Sequence, residues 1–338
     1  EATRIIQSSA KLTHIPKVIM ATAHGQECIQ EDVDDVKLAG FLNKPVSPSL
    51  LLETITQAMG YGEIGESRHL AQREDTTAAI CKLRGAKILL VEDNEINQEV
   101  AIELLTSNGI TVELATNGLE ALKMLDKELF DGILMDCQMP IMDGYTTSRK
   151  IRQQECFKDL PILAMTANAM AGDKEKTLKS GMNDHIAKPI RVSDMLSIMA
   201  KWITPSNPLA EDVASQSKKT DTDSAWLNDL PGISPETVIP IFENRLPFYR
   251  KILAKFNDNY QNFEQQFRTA QANKNREETI HLSHSLKGVA GQLGALSLKE
   301  AAGILEQACE ENITNLDKQL DAVVTELQIV ISGVEALG

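Results

Sequence analysis

Glu92, Asp93, Asp136, Thr166 and Lys188 stand at the ends of separate short apolar runs, Lys87 to Val91, Gly132 to Asp136, Ile162 to Thr166 and Asp184 to Lys188. If those runs are parallel strands of one open sheet, their ends share the crevice in which such sheets bind ligands. Three carboxylates, a hydroxyl and an ammonium would meet there. Carboxylates so placed raise one another's pKa unless a cation sits among them. An oxygen-only set with few ligands suits Mg2+, which keeps waters and bridges carboxylate to phosphate. A second reactive group is His284. Leu282, Leu286, Val289 and Leu293 recur at spacings of four, three and four, which is one face of an α-helix. His284 lies about 200° around the helix from Leu282 and from Leu286, at roughly 100° per residue. It is expected to point outward, on a face with His281, Lys287, Gly288 and Gly291. A glycine inside a helix costs on the order of 1 kcal/mol relative to alanine. Two glycines beside an imidazole and a lysine suggest that a partner needs close access to the ring.

The elements that must position these groups are legible as periods. Five apolar strands, Thr111 to Ala115 joining the four above, alternate with helices that include Asn97 to Asn108 and a final one ending at Trp202. That alternation means a parallel sheet covered on both faces, an α/β domain over 85–203. Residues 61–84 lack periodicity until about Ala78 and residues 204–224 are nearly all small or polar, so both read as linkers. The second, about 21 residues long, behaves as a chain of roughly 25 Å end to end. The domains on either side can then meet within one molecule at an effective concentration near millimolar. Over 225–338 the period is purely helical. Leu253, Phe256, Tyr260, Phe263 and Phe267 form one seam, and Leu316, Leu320, Val323, Leu327 and Val330 another, which predicts an all-α antiparallel helical bundle.

Residues 1–60 repeat part of the α/β domain. Thr22-Ala23 precedes Lys44-Pro45 by 22 residues, and Thr166-Ala167 precedes Lys188-Pro189 by the same 22. The offset between copies is 144, so the counterpart of Asp136 would fall before Glu1. Two strands with their helices leave apolar surface uncovered, so residues 1–60 are expected to be unstable alone and the chain to be a fragment of a longer protein.

Composition narrows the function classes. The chain has 338 residues and a net charge of −14, with no Lys/Arg cluster of the kind that holds phosphate backbones, which argues against nucleic acid as a partner. The five cysteines are widely spaced with no C-x-x-C, which suggests neither a disulfide framework nor a zinc site and fits a reducing compartment. No apolar run approaches the roughly 20 residues of a membrane span.

V-E-D-N at 91–94, M-D-C-Q-M-P-I-M-D-G at 135–144, M-T-A-N-A at 165–169 and A-K-P-I at 187–190 resemble the receiver domain of two-component response regulators, a flavodoxin-like doubly wound (βα)5 fold. The resemblance implies that Asp136 is the phosphoacceptor nucleophile. It implies that Glu92, Asp93, Asp136 and the backbone carbonyl of Gln138 hold Mg2+ directly or through water, and that Thr166 and Lys188 contact the phosphoryl oxygens. His185 departs from the family's usual Tyr or Phe three residues before the lysine; Phe41 occupies the matching place in the first copy. Cys137, with no base suggested nearby, reads as a packed residue. H-S-L-K-G at 284–288 followed by A-G-Q-L-G-A at 290–295 resembles the signature of histidine phosphotransfer (Hpt) domains. That resemblance makes His284 the acceptor, Lys287 a cation near the phosphate and Gly288 the gap that admits a partner, with His281 and Gly291 on the same transfer surface.

Partial receiver, receiver and Hpt in that order resemble the C-terminal part of a bacterial hybrid sensor histidine kinase. The kinase core, with its own histidine and nucleotide motifs, is not in this sequence. The implied function is phosphorelay: from an upstream kinase histidine to Asp136, then to His284, then to the receiver of a separate response regulator. The implied location is cytoplasmic, with inner-membrane anchoring in the parent protein left to segments outside this sequence. Two other readings use the same residues. An aspartate-based small-molecule phosphatase also needs Mg2+ and a carboxylate nucleophile, but resembles D-x-D-x-[TV] after the first strand, where this chain has Glu92-Asp93-Asn94-Glu95. A non-phosphorylated interaction scaffold would use the receiver fold only to dock partners.

Overall fold

The computed structural model describes residues 17–22, 39–43, 54–55, 58–59, 75–166, 171–209, 225–242, 245–313 and 315–337. The chain divides into two compact units, Glu1–Asp75 and Thr76–Gly338.

In the first unit, β1 (Ile19–Thr22) and β2 (Gly40–Asn43) pair in parallel, with Ile19 opposite Gly40 and Thr22 opposite Asn43. Adding 144 to each number gives Leu163 opposite Asp184 and Thr166 opposite Ala187, the pairing found between the strands Ile162–Thr166 and Asp184–Ala187 of the second unit. The repeat read from Thr22 is therefore also a repeat of strand register. Lys44 and Pro45 lie outside the described residues.

The second unit begins within a helix over 75–83, inside the stretch expected to be linker. Ala79 and Leu83 are buried in the core, a four-residue spacing too short to stand out as a period in the sequence. The sheet follows, with β3 (Lys87–Val91), β4 (Thr111–Ala115), β5 (Gly132–Asp136), β6 (Ile162–Thr166) and β7 (Asp184–Ala187) in the spatial order β4-β3-β5-β6-β7, all parallel. Its strands alternate faces with period two, and both faces are apolar. Ile88, Leu90, Leu134, Leu163 and Met165 pack toward the helices Glu95–Thr106 and Val192–Trp202. Leu89, Val91, Ile133, Met135, Ile162 and Ala164 pack on the other face toward Gly118–Leu125 and Gly144–Arg152. The helix after β3 starts at Glu95 rather than Asn97, because Asn94 caps it: its side-chain oxygen accepts from the amides of Ile96 and Asn97.

Among the described residues six helices build the C-terminal bundle: Pro235–Phe242, Leu246–Tyr260, Phe263–Ala272, Arg276–Gln292, Leu296–Glu310 and Asp317–Glu335. The seam from Leu253 to Phe267 is buried throughout, yet it belongs to two helices that break at Gln261 and Asn262. Periodicity survived the break because Tyr260 and Phe263 keep a three-residue spacing. Leu286, Val289 and Leu293 are fully buried, as their spacing predicts. The short connection Leu293 to Ala295 folds the Leu296–Glu310 helix back along Arg276–Gln292, and Gly294, at φ +78°, makes that turn without strain. One contiguous apolar cluster runs from the Glu95–Thr106 face of the sheet into the bundle.

Candidate functional site

The strand ends meet as the residue types required. Glu92, Asp93 and Asp136 bring carboxylate oxygens within 4.8 Å of one another. Lys188 Nζ donates at 2.7 Å to Glu92 Oε2 and at 2.7 Å to Asp136 Oδ2, so one ammonium is shared between two buried carboxylates. Asn97 Nδ2 donates to Glu92 Oε1 at 2.9 Å, and Gln98 Nε2 to the Glu92 carbonyl at 2.8 Å. The Gln138 amide donates to Asp136 Oδ1 at 3.3 Å. Burial pushes the Glu92 carboxyl up, and the Asp136 carboxylate adds to it, against the pull of Lys188 and Asn97. Burial alone would lower the Lys188 ammonium, but Asp136 and Glu92 hold it well above its usual value. Thr166 is buried, and among the described residues its hydroxyl has no hydrogen-bond partner. A buried orphan hydroxyl beside a three-carboxylate cluster is unfinished as protein chemistry. It fits a divalent cation and an oxyanion that complete the set. Gly144 lets the following helix approach: a Cβ there would sit 2.1 Å from the Asp136 carbonyl oxygen. Cys137 is buried and its thiol is pushed up to about 12, chiefly by burial, so it is no nucleophile at neutral pH.

His284 departs from the sequence expectation. It is only 7% exposed, where the helix period alone had turned it to solvent. The period describes an isolated helix, and here two neighbours close over its polar side. From the Leu296–Glu310 helix, Glu306 Oε1 lies 2.6 Å from His284 Nδ1, while Glu306 Oε2 accepts from Lys287 Nζ at 2.9 Å. On the other side the stripe His281, Ser285, Gly288 and Gln292 faces the α/β domain. His281 Nε2 is 2.6 Å from Asp93 Oδ2, and Asn94 Nδ2 donates to Ser285 Oγ at 2.7 Å and to Tyr260 Oη at 2.9 Å. Gln292 Oε1 accepts from the Ile190 amide at 2.8 Å. A Cβ on Gly288 would meet nothing nearer than Asn97 Nδ2 at 3.8 Å. Glu306 holds the ring from one side, and the stripe beside the ring is turned to the receiver-like domain.

The proposed transfer surface therefore sorts into two sets. His281 and Gly288 face the carboxylate domain. Lys287 is drawn to Glu306, and the open side of buried Gly291 is filled by the Lys299 stem, with Cδ 3.2 Å from where a Cβ would stand. Gly291 accordingly admits a neighbouring helix of the same bundle and not a partner. Glu306 is the residue that sequence reasoning missed. Its signal was a carboxylate on the seam of Leu298, Ala302, Leu305 and Cys309, where a buried acid requires partners. Burial would raise its carboxyl, but His284 and Lys287 hold it below the usual carboxylate range.

Comparison with known proteins agrees with both halves. Residues 88–200 match the response regulator receiver domain model and residues 251–336 the Hpt domain model. Hybrid signal transduction histidine kinase B of Dictyostelium discoideum is 42% identical over 139 residues, 38% of this chain and 7% of that protein. The histidine-protein kinase BarA of Shigella flexneri is 27% identical over 266 residues, 79% of this chain and 28% of that protein. The chain thus spans only a minor part of the curated relatives it matches. Among solved structures, the receiver domain of sensor histidine kinase PA1611 from Pseudomonas aeruginosa, with a magnesium ion in its active-site cleft, is 45% identical. It covers 35% of this chain and 97% of its own, with a TM-score of 0.34. Among the described residues no helix is long and apolar enough to cross a membrane.

Proposed function

Residues 88–200 are a response regulator receiver domain and residues 251–336 an Hpt domain, the modules of phosphorelay in two-component signalling, and we propose that in this chain a phosphoryl group passes between Asp136 and His284. The observation that carries the reading is the meeting of the two sites. The helix that bears His284 touches Asp93, a member of the carboxylate cluster, through His281, and the adjoining Asn94 through Ser285.

In the first step an Asp136 carboxylate oxygen attacks phosphorus, a P–O bond forms, and the P–N bond to an upstream kinase histidine breaks. In the second, His284 Nε2 attacks the same phosphorus and the P–O bond to Asp136 breaks. Nδ1 carries the ring proton toward Glu306, which leaves the Nε2 lone pair free to attack and stabilises the positive charge the ring gains. Lys188 is already at Asp136 and has only to turn its ammonium to an incoming phosphoryl oxygen, while Thr166, at the end of the neighbouring strand, supplies a hydroxyl. Mg2+ held by Glu92, Asp93, Asp136 and the Gln138 carbonyl would neutralise charge on the transferring group. His284 then passes the group to the receiver of a separate response regulator.

Radiolabel transfer tests the order. With a cognate kinase, Asp136→Ala abolishes label on His284, and His284→Gln leaves it stalled on the receiver. Undiminished labelling of His284 in the Asp136→Ala protein would reject the scheme.

A further inference from the structure

The receiver meets the bundle along a second line, away from the reacting groups. The Leu246–Tyr260 helix runs antiparallel to the receiver's Glu95–Thr106 helix, and their polar contacts occur in reverse order. Tyr260 meets Asn94, Lys255 meets Glu95 and Glu99, Lys251 meets Glu99, and Arg245 meets Ser107. Lys255 Nζ lies 2.6 Å from Glu99 Oε1 and 3.1 Å from Glu95 Oε2, and Lys251 Nζ is 3.3 Å from Glu99 Oε2. Two lysines one helical turn apart thus face two glutamates one turn apart. Lys255 and Glu99 are about a quarter exposed. At that exposure such pairs add little affinity, but like charges set in the same places exclude a partner. In this arrangement His284 is 7% exposed and its helix neighbours His281, Ser285 and Gly288 face the chain's own receiver, so a separate receiver cannot take the same face while the resident one is in place.

We propose that Lys251 and Lys255 select receivers that carry a carboxylate pair one turn apart at the start of the helix after their first strand, and that the chain's own receiver occupies this face in competition with them. The proposal rests on the reading above, in which a separate receiver takes phosphate from His284. A tethered receiver at an effective concentration of about 1 mM gives a free receiver of equal affinity at about 10 µM a roughly hundredfold disadvantage. Passage outward therefore waits for the resident receiver to leave.

Two variants of this 338-residue chain test this. The donor carries His284→Gln with Lys251→Glu and Lys255→Glu; the acceptor carries Asp136→Ala with Glu95→Lys and Glu99→Lys. Within each chain the clasp repels, and between the two chains both clasps are satisfied. The donor is labelled on Asp136 with acetyl phosphate and Mg2+. The expected results are a heterodimer in sedimentation at about 10 µM, and label reaching the acceptor's His284 at least tenfold faster than in the pair lacking clasp substitutions. Placing all four charge reversals in one chain should restore a closed monomer with slow transfer between chains, which also shows that the reversals are tolerated by the fold. Monomers in the matched mixture with no acceleration, or a four-fold variant that stays open, would overturn the proposal. Absence of label on His284 in every mixture would count against the phosphorelay reading alone, since sedimentation still decides the clasp.

Discussion

Glu306 offers the sharpest test of how His284 is prepared. Its carboxylate holds two donors, His284 Nδ1 at 2.6 Å and Lys287 Nζ at 2.9 Å, in a setting where its side chain is 7% exposed. Hydrogen bonds to charged groups contribute about 1.5–3 kcal/mol and neutral ones about 0.5–1.5. Glu306→Gln keeps an acceptor for Nδ1 but loses the charge, so its cost in the transfer step is about 1–1.5 kcal/mol, or roughly five- to twelvefold in rate. Glu306→Ala removes the acceptor as well and frees the ring to turn, which costs about 1.5–3 kcal/mol, or roughly ten- to 150-fold. The assay is single-turnover transfer of label from phospho-Asp136 to His284, with uptake at Asp136 from acetyl phosphate as the internal control. Uptake should be unchanged, because Glu306 touches none of the carboxylate cluster. Rates should fall in the order parent, Gln, Ala. Nitrogen chemical shifts of His284 should show the parent's tautomer kept in the Gln variant and mixed in the Ala variant. Stability adds a check on sign. The folded carboxyl of Glu306 lies below its ordinary value of 4.5, so its contribution is fully present above that pH and is lost as pH falls through the folded value. The stability gap between parent and Glu306→Gln should therefore close on acidification. Both variants transferring within twofold of the parent would refute this account of the ring's preparation.

Other predictions follow from the same contacts. Lys188→Met leaves Glu92 and Asp136 buried without their shared ammonium, and receiver strands β3 and β5 should lose about 3–5 kcal/mol of hydrogen-exchange protection in chelator at pH 7. Added Mg2+ should recover part of it; a loss indifferent to Mg2+ would place the cation elsewhere. Iodoacetamide at pH 8 should modify exposed Cys81 and Cys156 and spare Cys137, whose thiol is pushed up to about 12; alkylated Cys137 in the folded chain would contradict its burial. Asn94 both caps a helix and donates to Ser285 and Tyr260. Asn94→Ser should keep the cap and loosen docking, raising His284 carbethoxylation severalfold, whereas Asn94→Ala should also cost the helix about 1 kcal/mol. Equal reactivity of His284 in parent and Asn94→Ser would show that Asn94 does not hold the domains together.

What the sequence by itself determined is local. Strand periods, the acids and lysine at strand ends and the helical seams are properties of neighbouring residues, the offset of 144 compares two such local patterns, and the repeat reappears in the fold with its register intact. Even the helix break between Tyr260 and Phe263 left the apolar face where its spacing placed it. Tertiary structure alone decided which side of the Arg276–Gln292 helix faces the receiver, why Gly291 and Gly288 serve different neighbours, and how Glu306 comes to hold His284. It also turned an expected linker segment over 75–83 into a core-packed helix. The physical reason is range. A period shows that a face is polar, but what covers that face depends on groups such as Asp93 and His281, 188 residues apart, meeting only when two domains close.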